Sequence, residues 1–157
     1  MLEMKPYLLQ TTQFLPIPLK TAWDFFSAPA NLSRITPARM NFQILSMTGG
    51  QSMHAGQIIT YKVSVLPLLR VRWVTEITNV REPFEFTDEQ KSGPYTLWRH
   101  THRFKEVAGG VEMSDRVEYI LPLGILGRLA HVLLVKREVN AIFEHRYKVL
   151  TNIFPGT

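Results

Sequence analysis

The fold is decided by residues 95–121, YTLWRHTHRFKEVAGGVEMSDRVEYIL. Successive side chains of a strand point to opposite faces, so the segment can be sorted by parity. Before Ala108 one row reads Trp98, His100, His102, Phe104, and the other Leu97, Arg99, Thr101, Arg103, Lys105. After Gly109-Gly110 the rows are Val111, Met113, Asp115, Val117, Tyr119, Leu121 against Glu112, Ser114, Arg116, Glu118. The charged rows face water and the aromatic and aliphatic rows face inward, which makes the pair a hairpin turning at the glycines. An unpaired carboxylate on the covered face would be costly. The hairpin supplies a partner for Asp115, because it brings His102 or His100 opposite, depending on turn type and bulge, with Cβ atoms about 4.5–5.5 Å apart.

Working toward the N-terminus, the same period of two recurs near residues 41–48, 56–66, 70–80 and 84–91. The separators are turn chemistry: Gly49-Gly50, Pro67, Glu82-Pro83 and Gly93-Pro94. These segments add inward rows Ile59, Tyr61, Val63, Val65; Val71, Trp73, Thr75, Ile77; and Phe84, Phe86, Asp88, Gln90. Residues 7–15 read as a further, first strand. Pro18 then opens a short helix with the apolar face Ala22, Trp23, Phe25, Phe26, and residues 31–37 add one more helical turn before Pro37. The sequence thus predicts seven antiparallel strands with two short helices between the first and second.

Toward the C-terminus, residues 124–152 read as a long helix. Ile125, Leu129, Val132, Val139, Phe143 and Leu150 fall on one stripe, opposite Arg128, Lys136, Glu138, His145 and Lys148. Its first half, GILGRLAHVLLV (124–135), is apolar around most of its circumference. Burial beneath neighbouring loops is expected there, with a gate or a transient membrane contact as the alternatives.

At 157 residues, with 45% hydrophobic and 20% charged residues, the chain is expected to form a single packed domain. It has no cysteine, which excludes disulfides, thiolate metal sites and cysteine nucleophiles. The residues at 1–14 lack the basic and long apolar regions of a secretory signal, and no segment is long and apolar enough to span a bilayer. A cytoplasmic location is expected. The net charge of +5 comes from scattered basic residues without a nucleic-acid motif, so no nucleic-acid partner is expected.

The inward rows combine Tyr61, Trp73, Phe86, Trp98 and Tyr119 with Asp88, Gln90, His100, His102 and Asp115. A sheet packed directly on a helix needs only apolar contacts, so this mixture points to the lining of a pocket for a hydrophobic small molecule. Val117, Val139 and Phe143 complete the expected lining. Two other readings stay open. His100 or His102 with Asp115 could form an acid–base pair in a cyclase or dehydratase, and the polar groups could tie together a filled core in a structural or partner-binding domain. The His-x-His spacing with Asp115 and Asp88 also offers a ligand set, but aromatic flanks favour a pocket floor, and neither a metal nor another cofactor is expected.

In the order of its elements, in PIPLKTAWDFFSAPANLSRITP (16–37), and in GPYTLWRHTHRF (93–104) with DRVEYILPLGILG (115–127), the chain resembles the START-like, or SRPBCC, helix-grip superfamily. Within it, the likeness is to a bacterial ligand-binding branch near the polyketide cyclase and dehydrase-like proteins. The resemblance covers essentially the whole chain and implies a curved sheet gripping the long helix around an apolar cavity. It also places Trp98, His100, His102, Asp115 and Tyr119 on the cavity side, and implies lipid, polyketide or other hydrophobic ligands, with some members acting as cyclases or hydrolases.

Overall fold

The computed structural model describes residues 5–156. Seven strands, β1 (Tyr7–Leu15), β2 (Gln43–Met47), β3 (Ile58–Leu66), β4 (Leu69–Arg81), β5 (Glu85–Ser92), β6 (Leu97–Val107) and β7 (Gly110–Ile120), form one sheet in the order β1-β7-β6-β5-β4-β3-β2. All pairings are antiparallel. Strands β2 to β7 follow one another as a meander, and β1 closes the far edge against β7. This is the helix-grip arrangement that the order of elements implies.

Between β1 and β2 lie α1 (Leu19–Phe26), a 3₁₀ turn (Pro29–Asn31), α2 (Leu32–Ile35) and a second 3₁₀ turn (Ala38–Met40). Pro18 precedes the first helical residue, where its missing N–H costs nothing, and α1 buries Ala22, Trp23, Phe25 and Phe26 as the sequence predicts. These residues join Leu15, Phe86, Phe104, Val111, Met113 and Leu150 in one apolar cluster. A second cluster gathers Val117, Tyr119, Val139 and Phe143. The polar residues of β6 and β7 lie between the two clusters along each strand.

The C-terminal helical segment departs from expectation. It consists of α3 (Gly124–Ala130), a π-helical turn (His131–Val135) and α4 (Lys136–Ile153). In α4 the buried positions are Val139, Phe143, Arg146 and Leu150, so the predicted stripe holds there. Upstream it fails: Ile125, Leu129 and Val132 are exposed, and the buried positions are Gly127 and His131. The cause is the π turn, whose i→i+5 bonding takes in one extra residue and shifts the phase of a 3.6-residue period by about 100°. The expected burial of 124–135 is therefore incorrect. Gly127 is required at its position, because a Cβ there would collide with the carbonyl oxygen of Pro122.

One smaller difference concerns Phe84, expected in the inward row of β5. It precedes that strand and is exposed, in the turn between β4 and β5.

Candidate functional site

The register of β5, β6 and β7 builds the site. Asp88 lies opposite His100, and Asp115 lies opposite His102. All four side chains point inward, and each acid reaches diagonally as well as straight across, as long side chains on twisted strands can. His100 Nε2 is 2.8 Å from Asp115 Oδ1 and His102 Nε2 is 3.0 Å from Asp88 Oδ2. His102 Nδ1 also approaches Asp115 Oδ1 at 3.1 Å. The imidazoles lie with centroids 3.7 Å apart and planes tilted by 33°, and Phe86 stacks on His102 at 4.1 Å.

A fifth member comes from the helix. Arg146 of α4 points down at the sheet and forms an ion pair with Asp115, its Nη2 3.3 Å from Oδ1 and 3.5 Å from His102 Nδ1, with Arg146 and Asp115 each only 6% exposed. Its guanidinium lies 5.4 Å from the Phe26 ring and 5.8 Å from that of Phe143. Sequence reasoning did not select Arg146. The signal was present in the spacing, since Val139, Phe143, Arg146 and Leu150 recur at four, three and four residues, which puts a lone cation in the buried stripe.

Charge in this cluster is settled by competition between burial and neighbours. Burial alone would raise the Asp115 carboxyl, but the Arg146 guanidinium together with His100 and His102 holds it well below the usual carboxylate range. Burial, reinforced by the neighbouring His102, lowers His100. Burial acts on His102 in the same direction, yet its bonds to Asp115 and Asp88 outweigh it and raise the imidazole. At neutral pH Asp115 is thus ionised and His100 neutral. A neutral His100 that donates from Nε2 to Asp115 carries its lone pair on Nδ1, the orientation a general base uses.

A cavity of about 210 Å³ lies between the sheet, α4 and the α1–α2 region. Of the residues expected to line it, Tyr61, Trp73, Phe86, Asp88, Trp98, His100, His102, Val139 and Phe143 do so. Tyr61, Trp73, Trp98 and Tyr95 form a connected aromatic wall, with Trp73 centred 5.9 Å from Tyr61 and 5.5 Å from Trp98 and from Tyr95. Burial raises both the Tyr61 and Tyr95 hydroxyls, so each remains protonated.

Four expected lining residues sit elsewhere. Val117 is completely buried in the second apolar cluster. Tyr119 faces His131, its hydroxyl 2.9 Å from Nε2. The Gln90 side chain is occupied with the backbone of Tyr95, donating to its carbonyl at 2.7 Å and accepting from its N–H at 3.2 Å. Asp115 lies behind the histidines and, with Arg146, borders a second recess of about 250 Å³ between β1 and α4. The charged pair is therefore a partition between two hollows. Glu138 sits on the cavity rim, where its carboxylate meets Arg39 at 2.8 Å.

Asp88, His100 and His102 each bring a donor atom within 4.8 Å of the others, so they are the residues that could hold a divalent cation. The guanidinium of Arg146 beside Asp115 opposes a further positive charge next to them. Among the described residues no helix is long and apolar enough to cross a membrane.

No protein-family model and no curated protein matches the chain. Solved structures do match it. A protein of Chromobacterium violaceum superposes with a TM-score of 0.72 at 10% identity, over 96% of this chain and 98% of that one. A START superfamily protein of Mycobacterium smegmatis gives 0.70 at 12% identity, over 94% and 96%. The di-domain ARO/CYC BexL gives 0.72 at 13% identity, over 97% of this chain and 51% of that one. At such identities the likeness establishes the fold, which is START-like.

Proposed function

From that START-like fold and this interior, we propose that the protein binds a small hydrophobic molecule between the sheet and α4. The observation that carries the reading is the cavity of about 210 Å³, walled by Tyr61, Trp73 and Trp98 and floored by His100 and His102. Aromatic walls supply apolar contact, and one or two convergent polar groups fix the direction of a ligand oxygen. The Trp73 indole N–H is buried without a partner, a donor that a ligand oxygen could satisfy. An aromatic, polyketide-type or lipid-type ligand fits such a surface, and the ARO/CYC among the proteins sharing the fold supports the aromatic option. The alternative of a structural domain with a filled core does not account for an open interior.

Native mass spectrometry after gentle purification is expected to show added mass from a co-purified apolar compound, or uptake of a neutral naphthylamine dye in one-to-one ratio. Protein that stays empty and takes up no dye would end this reading.

A second reading rests on the oriented pair at the cavity floor, His100 Nε2 to Asp115 at 2.8 Å. A neutral His100 so oriented could take a proton beside a ligand carbonyl, the step a cyclase or dehydratase requires. Replacing His100 or His102 by Ala would then abolish turnover of an offered polyketide-type substrate while its affinity changed only a few-fold. Unchanged turnover in both variants would reduce the pair to ligand orientation.

A further inference from the structure

We propose that the outward face of α3 and the π turn docks on the surface of an anionic lipid bilayer. This stretch is amphipathic in the inverted sense. The residues turned to the protein are Gly127 and His131, while Ile125, Val132 and Leu133 are 81%, 75% and 70% exposed. Leu126 and Leu129 are exposed beside them. A contiguous aliphatic face of this kind on water is rare without a partner.

The orientation is fixed, so the exposure does not come from a loosely held end. The Tyr119 hydroxyl bonds His131 Nε2 at 2.9 Å, and the Tyr7 ring stacks on the imidazole at 3.5 Å between centroids. Gly127 packs against the Pro122 carbonyl with no room for a side chain. Rotating the helix to hide its leucines would bring bulk to Gly127 and break the histidine contacts.

Charge identifies the partner. From Tyr119 to Arg137 there is no acidic residue, and Arg128, Lys136 and Arg137 are all exposed along the same stretch. Aliphatic side chains with basic residues at their border match the interface of an anionic membrane, where each Lys or Arg near the surface adds attraction. Self-association through this face would bring those cations against their own copies. The fully exposed Leu68, at the tip between β3 and β4, lies at the same end of the sheet, because the register that pairs Leu97 with Ile120 carries the β3–β4 turn to that edge. None of these residues lines the cavity, so the docking holds whatever the cavity binds.

The test is sedimentation of the full chain with vesicles of phosphatidylcholine alone and of phosphatidylcholine with about a third phosphatidylglycerol. The mixed vesicles are expected to bind it, less so as salt rises. Leu129→Ser with Leu133→Ser is expected to weaken that binding at least about tenfold. Lys136→Gln with Arg137→Gln is expected to weaken it about fivefold per residue on mixed vesicles and leave neutral vesicles unaffected. These side chains lie in water, so melting temperatures should be unchanged; if the leucine variant melts early, Ile125→Ser with Val132→Ser replaces it on the same face. Absence of binding to either vesicle, or equal binding by wild type and variants, overturns the proposal. So does a concentration-dependent dimer that the leucine variant abolishes and vesicles do not compete, which would make a second copy the occupant.

Discussion

Replacing Arg146 by Met tests the buried charge balance at the centre of the molecule. The guanidinium is 3.3 Å from Asp115, and both side chains are nearly sealed from water. At an effective dielectric of about 20, two unit charges at that distance attract by about 5 kcal/mol. Removing Arg146 also relieves the cost of burying it, and Asp115 keeps its bonds to His100 and His102. Breaking a buried pair commonly costs about 3–5 kcal/mol, and with two partners retained the lower end, about 3 kcal/mol, is expected. For a chain of this size that lowers the melting temperature by roughly 6–12 °C. Asp115→Asn in the same chain removes the uncompensated charge, so the double variant should be more stable than the sum of the singles by at least about 1.5 kcal/mol. The assay is urea unfolding of all four proteins at neutral pH. A single-variant loss below about 1 kcal/mol, or additivity within about 0.5 kcal/mol, would refute the idea that Arg146 is what compensates Asp115.

Three further outcomes follow from the same residues. Because His102 is raised in the folded protein, its contribution to stability is complete below its unfolded value of 6.5 and is lost as pH rises through the folded pKa; His102→Asn should remove that decline from urea midpoints measured across this range. Ile59→Trp places an indole in the cavity from β3, and is expected to weaken naphthylamine dye binding at least about tenfold while costing about 1–3 kcal/mol in overpacking; full dye affinity would put the binding site elsewhere. Leu150→Ala, at the buried foot of α4, should cost about 2–5 kcal/mol in urea unfolding without altering dye affinity, since Leu150 packs in the α1 cluster and does not line the cavity.

Much of this architecture was legible because strands carry a short, rigid period. Parity sorted Trp98, His100, His102 and Phe104 to one face, and turn chemistry set the strand limits to within a few residues. The Asp115 partnership was legible up to the register, and the structure shows both histidines reaching the same carboxylate. Other features lay beyond local pattern. A π turn leaves no mark in a 3.6-residue count, which assigns Ile125, Leu129 and Val132 to the wrong side of the helix. Arg146 is hard to read from sequence because a charge ordinarily belongs to the wet face, although its spacing from Phe143 and Leu150 puts it on the dry one. Gln90 and Tyr119 share the inward parity of the cavity residues, but parity cannot tell a wall from a side chain already engaged by Tyr95 or His131.

The central claim is that the space between the sheet and α4 is a binding site. Its most direct test is a crystal structure of the protein grown with a neutral naphthylamine dye. The account predicts dye density between α4 and the sheet, against Trp73 and Trp98, with its nitrogen within hydrogen-bond reach of His100 or His102. Dye found only on the exposed aliphatic face of α3, with the interior closed by side chains, would contradict it.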